Sequence, residues 1–229
     1  AGMVMLGYED TSSVTMEDMI RFTTAAKNGR KNSLIVSDLP INSYKTEKDA
    51  IRNSLKLIEA GADAVKLEGG KEVAEIIKSI TEAKIPVMGH LGLLPQTAQK
   101  YTVQGKTKES AIELIEDAKI ITESGVFSIV LEMVSSQVAR IITEKISVPT
   151  IGIGSGKFCD GQVLVVHDML GLFEKIKPKF AKRYLSLSDE IRNAVKSYTT
   201  EVKEEKFPSI EHEFQMDESE YTKLREHID

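Results

Sequence analysis

Cysteine is almost absent from this sequence, and so are long apolar runs and any excess of basic residues. The only cysteine among the 229 residues is Cys159, which excludes an intrachain disulfide and suits a reducing, cytoplasmic location. No apolar run approaches the roughly 18 residues of a membrane span, and no secretory signal pattern is visible. The 30 lysines and arginines are outnumbered by 35 aspartates and glutamates, and the resulting net charge of −5 argues against nucleic-acid binding.

The length and composition of the chain fit one large globular domain. Hydrophobic residues make up 41% of the chain and charged residues 28%, with 15 glycines and 6 prolines. This composition differs from those of disordered, collagenous and coiled-coil proteins. Single-domain α/β barrels commonly have about this length. We therefore predict one domain over residues 1–214, followed by an acidic, polar tail over residues 215–229.

Six short apolar segments, rich in valine, isoleucine and leucine, recur along the chain. They lie at residues 33–38, 63–68, 86–90, 127–132, 149–154 and 162–167. Each is too short for a typical helix, and a continuous apolar run of this length is typical of a strand buried in a parallel sheet.

Helical patterns separate these segments. Thr46 is a suitable N-cap with Asp49 three residues later, and Gly61 ends the apolar stripe that follows. Further apolar stripes at helical spacing occupy residues 73–80, 111–121, 138–142 and 191–202. The alternation of strands and helices predicts an α/β fold with a parallel sheet.

The number of strands leaves two architectures open at this point. A closed (β/α)8 barrel has eight strands, whereas six are predicted here. The chain forms either an open, doubly wound sheet or a barrel of which two strands lie outside this sequence. The residues up to Gly7 are too few to supply two further strand–helix units.

Polar residues or glycines stand at the carboxyl end of every predicted strand. A barrel builds its active site at that end, so these residues are expected to converge. A single polar strand end has a simpler explanation, because loops begin there. The positions are Asp38, Lys66, Glu68, His90, Glu132, Gly152, Gly154, Gly156, His167 and Asp168.

Lys66 and Glu68 are two residues apart on one predicted strand, so their side chains project from the same face. Placing an ammonium and a carboxylate inside a barrel is costly unless they pair with each other or bind a ligand. One interpretation is a salt bridge. The other is that Asp38 and Glu68 hold a divalent cation, which would be Mg2+ because the ligands are all oxygen, while Lys66 neutralises a substrate carboxylate.

Glu132 and His90 are further candidates for chemistry. Glu132 ends an apolar strand and is suited to act as a general base, although a buried glutamate can also cap a neighbouring loop. His90 either orients a substrate or is a hydrogen-bonded core histidine, and we favour the second interpretation slightly.

The remaining candidates favour structural roles. His167 and Asp168 are interpreted as structural. Cys159 has no base nearby in the sequence and is not predicted to be a nucleophile. The glycines at 152, 154 and 156 could cradle an anion, but their spacing differs from the Rossmann fingerprint, so dinucleotide binding is only weakly supported.

Several motifs together resemble those of the ketopantoate hydroxymethyltransferase family. The resemblance extends from residue 2 to about residue 214. The motifs are VSDLP (36–40), VKLEGG (65–70), PVMGHLGL (86–93), YTVQG (101–105), VLE (130–132), IGIG (151–154) and CDGQVL (159–164).

This resemblance implies a (β/α)8 TIM barrel of the phosphoenolpyruvate/pyruvate superfamily. It implies transfer of a hydroxymethyl group from methylene-tetrahydrofolate to 3-methyl-2-oxobutanoate, through a metal-stabilised enolate, to give 2-dehydropantoate in pantothenate and coenzyme A synthesis. Asp38 and Glu68 match the family's metal ligands, with Mg2+ as the metal. Asp38 and Lys66 match positions that contact the substrate, and Glu132 matches the proton acceptor. The resemblance also implies a homo-oligomer, commonly a decamer.

The sequence departs from the family pattern in two ways. Threonine is usual at the position of Leu94 and lysine at the position of Thr102, so folate or substrate contacts near the mouth of the site are expected to change. The family's first two strands, which end in a metal-binding aspartate and an oxo-acid-binding serine, are expected before Ala1.

Two other functions remain open. One is another Mg2+-dependent 2-oxo acid carbon–carbon lyase of the same superfamily, which would share the metal chemistry without the folate. The other is a truncated, non-catalytic paralogue, which the absence of the Asp-Ser pair favours. The presence of Asp38, Lys66, Glu68 and Glu132 argues against this last alternative.

Overall fold

The computed structural model describes residues 2–98 and 100–228, in which six parallel strands form one sheet. The strands are β1 (Val36–Asp38), β2 (Ala64–Glu68), β3 (Val87–Gly92), β4 (Ser128–Glu132), β5 (Thr150–Ile153) and β6 (Gly161–Gln162). Their order in the sheet is their order in the sequence. A doubly wound sheet reverses its order at a switch point, whereas a barrel adds each strand beside the previous one. The sheet is therefore part of a barrel, and the doubly wound alternative is excluded.

Helices precede, connect and follow the strands, and several of them pack on the sheet. They are α1 (Gly2–Met5), α2 (Met16–Gly29), α3 (Glu47–Ala60), α4 (Ala74–Glu82), α5 (Lys108–Glu123), α6 (Ser136–Lys145), α7 (Val166–Met169), α8 (Leu187–Lys203) and α9 (Glu218–Ile228), with 3-10 turns at Lys71–Val73 and Ile210–His212. From α2 to α6, each helix contacts the next, as in the outer layer of a barrel.

Local sequence signals define the ends of α3 as predicted. The Thr46 hydroxyl accepts the backbone N–H of Asp49 at 3.1 Å, which satisfies one of the unpaired donors of the first turn. Gly61 ends the helix with a φ of 112°, a left-handed conformation that glycine adopts without steric cost.

The hydrophobic core lies between the outward face of the sheet and the helices. Leu67 of β2 and Leu131 of β4 are completely buried there, as are Ile77 of α4 and Ile121 of α5. Burial of each such side chain contributes about 1.5–3 kcal/mol. The alternate residues of these strands consequently point inward, away from the helices.

The sixth strand differs from the prediction. Only Gly161 and Gln162 pair with β5, through Ile151 and Gly152, and the chain then turns into α7. Thus His167 and Asp168 lie in a short helix instead of ending a strand. Val163 N–H still donates to Gly152 O at 3.0 Å, but β6 is the edge strand of the sheet and has no partner on its other side within the described residues.

Besides the four-residue helices α1 and α7, two longer helices were not anticipated from the patterns above. The first is α2, although Thr15 and Asp18 form a capping box that marks its beginning. The second is α9, which lies within the predicted acidic tail and has no buried residue. The domain boundary at residue 214 stays a prediction.

The long amphipathic helix is confirmed as α8, but its apolar side is exposed. Ile191, Val195, Tyr198 and Val202 recur at helical spacing, and each is between 44% and 58% exposed. No helix within residues 2–98 and 100–228 is both long and apolar enough to cross a membrane.

Candidate active site

The polar strand ends converge on one cavity, as predicted. Asp38, Lys66, Glu68, His90 and Glu132, contributed by β1 to β4, all line a cavity of about 760 Å³. Strand register explains this convergence. Asp38 lies opposite Lys66, Glu68 lies opposite His90, and Glu132 lies opposite the end of β3.

Lys66 forms the ion pair expected of a buried ammonium, but its partner is on the neighbouring strand. Its Nζ lies 3.2 Å from Asp38 Oδ1 and 3.2 Å from His90 Nδ1. The Lys66 side chain is 15% exposed, whereas that of Asp38 is 44% exposed and remains open to the cavity. The charge of Lys66 is thus held at the cavity wall between two fixed acceptors.

Glu68 is the most buried carboxylate of the group, at 7% exposure. Its Oε2 accepts the backbone N–H of Gln96 at 3.1 Å, and the Gln96 side chain donates to the carbonyl of Leu39 at 3.1 Å. Burial raises the pKa of the Glu68 carboxyl above its ordinary value, while the Lys66 ammonium opposes the rise. A buried carboxylate of this kind is stabilised in its charged form by a bound cation.

His90 combines both of the roles considered for it. It is 3% exposed, and its Nε2 lies 3.0 Å from the carbonyl oxygen of Leu93, as in a hydrogen-bonded core histidine. The same nitrogen lies 3.4 Å from Glu132 Oε2, and the ring lines the cavity. His90 is therefore a core residue that also contacts two candidate site residues, Lys66 and Glu132.

The backbone after Glu132 adopts an unusual conformation. Met133 has a φ of 50°, which is uncommon for a residue with a side chain. Its N–H donates to Ile153 O at 2.8 Å, and its carbonyl accepts the N–H of Gln104 at 2.7 Å. Backbone strain of this type persists only where the surroundings fix it, and it is enriched at functional sites. The sequence analysis did not single out Met133, and it included Gln104 only as part of the YTVQG motif.

The other sequence candidates lie in different surroundings, and Gly154 and Asp168 line the cavity. Gly154 packs against the Phe180 ring, and Gly156 packs against Ser136, so side chains occupy the space beside these glycines. Cys159 is partly buried, and burial raises the pKa of its thiol, which disfavours a nucleophilic thiolate. Asp168 differs from its prediction in lining the cavity, and burial raises the pKa of its carboxyl.

An apolar wall also lines the cavity. It was not predicted, and apart from Met3 of α1 its residues lie outside the helices and strands, where no periodicity marks them. The wall includes Met3, Val14, Tyr101, Met133, Phe173 and Phe180. Thr102, one of the departures from the family pattern, lies between Tyr101 and Val103, both of which line the cavity.

Within the described residues, no group of three or more histidine, cysteine, aspartate or glutamate side chains is arranged to hold a metal ion. Asp38 and Glu68 nevertheless offer hard oxygen donors to the same cavity. Mg2+ is commonly held by one or two carboxylates, with water and substrate oxygens completing its shell. The donor set therefore fits a cation that binds together with an oxygen-rich ligand.

Solved structures of similar shape identify the fold of this protein. Phosphoenolpyruvate phosphomutase from Streptomyces platensis subsp. rosaceus matches 97% of this chain and 81% of its own, with a TM-score of 0.56 and 13% identity. The 2,3-dimethylmalate lyase, a PEP mutase/isocitrate lyase superfamily member, matches 99% of this chain and 80% of its own, with a TM-score of 0.53 and 13% identity. Likeness at this identity concerns the fold alone. The chain has the (β/α)-barrel fold of that superfamily, as predicted.

Sequence comparison identifies the family within this class. The profile described as ketopantoate hydroxymethyltransferase matches residues 1–210. The 3-methyl-2-oxobutanoate hydroxymethyltransferase of Nitrosopumilus maritimus is 59% identical over 100% of this chain and 83% of its own length. That of Cenarchaeum symbiosum is 57% identical over 96% of this chain and 86% of its own length. The chain belongs to the ketopantoate hydroxymethyltransferase family, which confirms the resemblance and shows that it is an enzyme of the hydroxymethyltransferase type.

Proposed function

We propose that this protein transfers a hydroxymethyl group from methylene-tetrahydrofolate to 3-methyl-2-oxobutanoate, giving 2-dehydropantoate for pantothenate and coenzyme A synthesis. The observation that carries the proposal is the convergence of Asp38, Lys66, Glu68 and Glu132 on one cavity. Family membership supports the same reaction. The cavity, at about 760 Å³, lies within the range of small-molecule sites and leaves space for a second, larger substrate beside the oxo acid.

Lys66 binds the carboxylate of the oxo acid in this scheme. Its ammonium has three N–H donors; one is hydrogen-bonded to His90, and the charge is paired with Asp38, which occupies the side of a second. The third is left for the substrate. Because Lys66 is largely shielded from solvent, its hydrogen bond to a carboxylate is stronger than one formed in water.

Asp38 and Glu68 would hold Mg2+ at the same wall. When bound, the cation supplies Lewis-acid polarisation of the keto group, which makes the neighbouring carbon more acidic. The placement of Glu68 behind Lys66 on one strand keeps the cation and the ammonium on the same side of the cavity. The carboxylate and keto oxygens of one substrate can then be recognised together.

Glu132 removes the proton from C3 of the oxo acid. The C3–H bond breaks, the proton passes to a carboxylate oxygen of Glu132, and the electron pair remains between C3 and C2, with charge spread to the keto oxygen. Water supplies the hydroxyl oxygen: both C–N bonds of the folate's methylene group break, tetrahydrofolate leaves with the two water protons, C3 bonds to the resulting carbon at the oxidation level of formaldehyde, and its oxygen takes the proton from Glu132. The Glu132 side chain is 15% exposed and faces the cavity, so it is shielded from bulk water and accessible to substrate.

The experiment is an assay of the wild-type chain and of Glu132→Gln, with Mg2+ present. Wild type is expected to form 2-dehydropantoate only when methylene-tetrahydrofolate is added, and to exchange the C3 proton of 3-methyl-2-oxobutanoate with D2O. Glu132→Gln should lose exchange while keeping oxo-acid binding in calorimetry. Glu144→Gln, an exposed position on α6, is the control and should behave like wild type.

Each alternative function predicts a different result in these experiments. Folate-independent cleavage of a 2-oxo acid would indicate the carbon–carbon lyase. The absence of any heat of binding for Mg2+ and the oxo acid would indicate a non-catalytic paralogue. Exchange retained by Glu132→Gln would refute the role of Glu132 as base.

We also propose a cytoplasmic homo-oligomer, with the decamer suggested by family resemblance. Native mass spectrometry would determine the number of subunits.

A further inference from the structure

We propose that His90 is a positioning residue that fixes Lys66 and Glu132 relative to each other, acting as a neutral imidazole protonated on Nε2. This inference rests on the proposed function, because it assigns Lys66 to the substrate carboxylate and Glu132 to the C3 proton. It adds a role for a side chain that has no direct part in the chemistry described above.

The partners of the ring determine which nitrogen carries the proton. Nε2 lies 3.0 Å from the carbonyl oxygen of Leu93, which can only accept a hydrogen bond, so Nε2 is the donor. Nδ1 lies 3.2 Å from Lys66 Nζ, which can only donate as an ammonium, so Nδ1 is the acceptor. A doubly protonated ring would place a second positive charge directly against Lys66. The two contacts together select one neutral tautomer.

In this tautomer the ring is a hydrogen-bond acceptor on the side of Lys66 and a donor on the side of Glu132. On one side Nδ1 accepts from Lys66, and on the other Nε2 donates to Leu93 O and lies 3.4 Å from Glu132 Oε2. The contact with Glu132 engages Oε2, which leaves Oε1 as the oxygen that receives the proton. His90 thus orients the base and the carboxylate-binding cation through a single rigid ring.

The His90 ring is held rigidly enough by its surroundings to fix the positions of Lys66 and Glu132. It is 3% exposed, and its backbone lies between β2 and β4, opposite Glu68 on one side and Val130 on the other. A rigid, buried group that fixes two others can affect the rate strongly, because small displacements of reacting groups are costly. A core histidine without this role would contribute to stability alone.

Two substitutions separate the functions of the two nitrogens. His90→Asn keeps an acceptor near the position of Nδ1 and loses the donor at Nε2. His90→Gln keeps a donor near the position of Nε2 and loses the acceptor at Nδ1. C3 proton exchange of 3-methyl-2-oxobutanoate in D2O, with Mg2+ present, gives kcat and KM for each variant.

The expected result is a split between the two parameters. His90→Asn should lower kcat about tenfold with KM near the wild-type value, because Lys66 stays in place while Glu132 is no longer oriented. His90→Gln should raise KM about tenfold with a smaller change in kcat, because Lys66 loses an acceptor while Glu132 keeps its donor. Equal changes in both variants, or changes in unfolding midpoint alone, would overturn the positioning role. Wild type without exchange would overturn the proposed function together with this role.

A measurement on the wild-type protein tests the tautomer without reference to activity. Long-range 1H–15N correlation spectra distinguish protonated from unprotonated imidazole nitrogens, and the chain has only 4 histidines to assign. The His90 signals, identified as those that remain when His167, His212 and His227 are each replaced by glutamine, should show Nε2 protonated and Nδ1 unprotonated at neutral pH. A ring protonated on Nδ1, or on both nitrogens, would contradict the proposal even if both variants failed to fold.

Discussion

Gly92 lies directly against the backbone carbonyl of Glu132, the proposed base. The two residues are opposite each other in the sheet, and Leu93 N–H donates to Glu132 O at 2.8 Å. Gly92 has a φ of 96°, and a β-carbon at this position would overlap Glu132 O and lie 2.6 Å from Val134 Cγ2. The end of β3 can therefore approach the base only because residue 92 has no side chain.

Gly92→Ala should consequently damage both stability and activity. The left-handed conformation alone costs about 1–3 kcal/mol with a side chain present, and the overlap with Glu132 O adds to this. We expect a lower midpoint of denaturant unfolding and slower C3 exchange. Gly29→Ala is the control, since nothing lies within 4 Å of a β-carbon there. Equal midpoints for the two variants would show that the approach to Glu132 is not tight.

Lys66→Met should weaken binding of 3-methyl-2-oxobutanoate. The variant keeps an unbranched, apolar stem but removes the charge-assisted hydrogen bond to the carboxylate, which is expected to raise the Kd about tenfold to a hundredfold. Isothermal titration in the presence of Mg2+ measures the change. Lys78→Met, on the exposed side of α4, should bind like wild type. Unchanged affinity in Lys66→Met would place the carboxylate elsewhere in the cavity.

Glu68→Gln should remove the stabilising effect of Mg2+ on the folded protein. A ligand that binds only the folded state raises the unfolding midpoint, so Mg2+ should stabilise wild type and have little effect on this variant. In the absence of Mg2+ the variant should unfold at the same or a higher midpoint, because burial disfavours the charge of Glu68 while glutamine still accepts from Gln96. Thermal unfolding with and without Mg2+ tests both parts. Glu75→Gln, an exposed position of α4, should respond to Mg2+ as wild type does.

Tyr44 should make stability depend on pH in the alkaline range. Burial, followed by the nearby Glu68 carboxylate, raises the pKa of the Tyr44 phenol from 10.0 to about 12. The folded protein holds this proton more tightly than the unfolded chain does. The contribution to stability is therefore complete below pH 10 and is lost as the pH rises to about 12. Tyr44→Phe should show a smaller loss of unfolding free energy over this interval, and parallel curves for the two proteins would contradict the prediction.

Much of the fold follows from short-range patterns. Apolar runs located five strands and overlapped the sixth only at Gln162, and Thr46 and Gly61 fixed the ends of α3. These signals act within a few residues, so they can be recognised without knowing the neighbours in space. The short β6 and the placement of Asp168 were not predictable in this way, because strand length depends on a partner that the local sequence does not specify.

The candidate site was likewise predictable from the sequence only in part. The sequence by itself determined that Asp38, Lys66, Glu68 and Glu132 stand at strand ends, since a parallel sheet brings its carboxyl ends to one edge. Only the tertiary structure decided that Lys66 pairs with Asp38 and His90 instead of Glu68.

The contacts that orient these side chains join residues far apart in the chain. Glu68 is bound by the backbone of Gln96, which is 28 residues away, and Lys66 meets His90, which is 24 residues away. The periodicity of apolar residues in the sequence indicates which face of a strand is buried. Which groups meet on that face depends on strand register and on how the loops return to the sheet, and these are fixed only when the whole core packs.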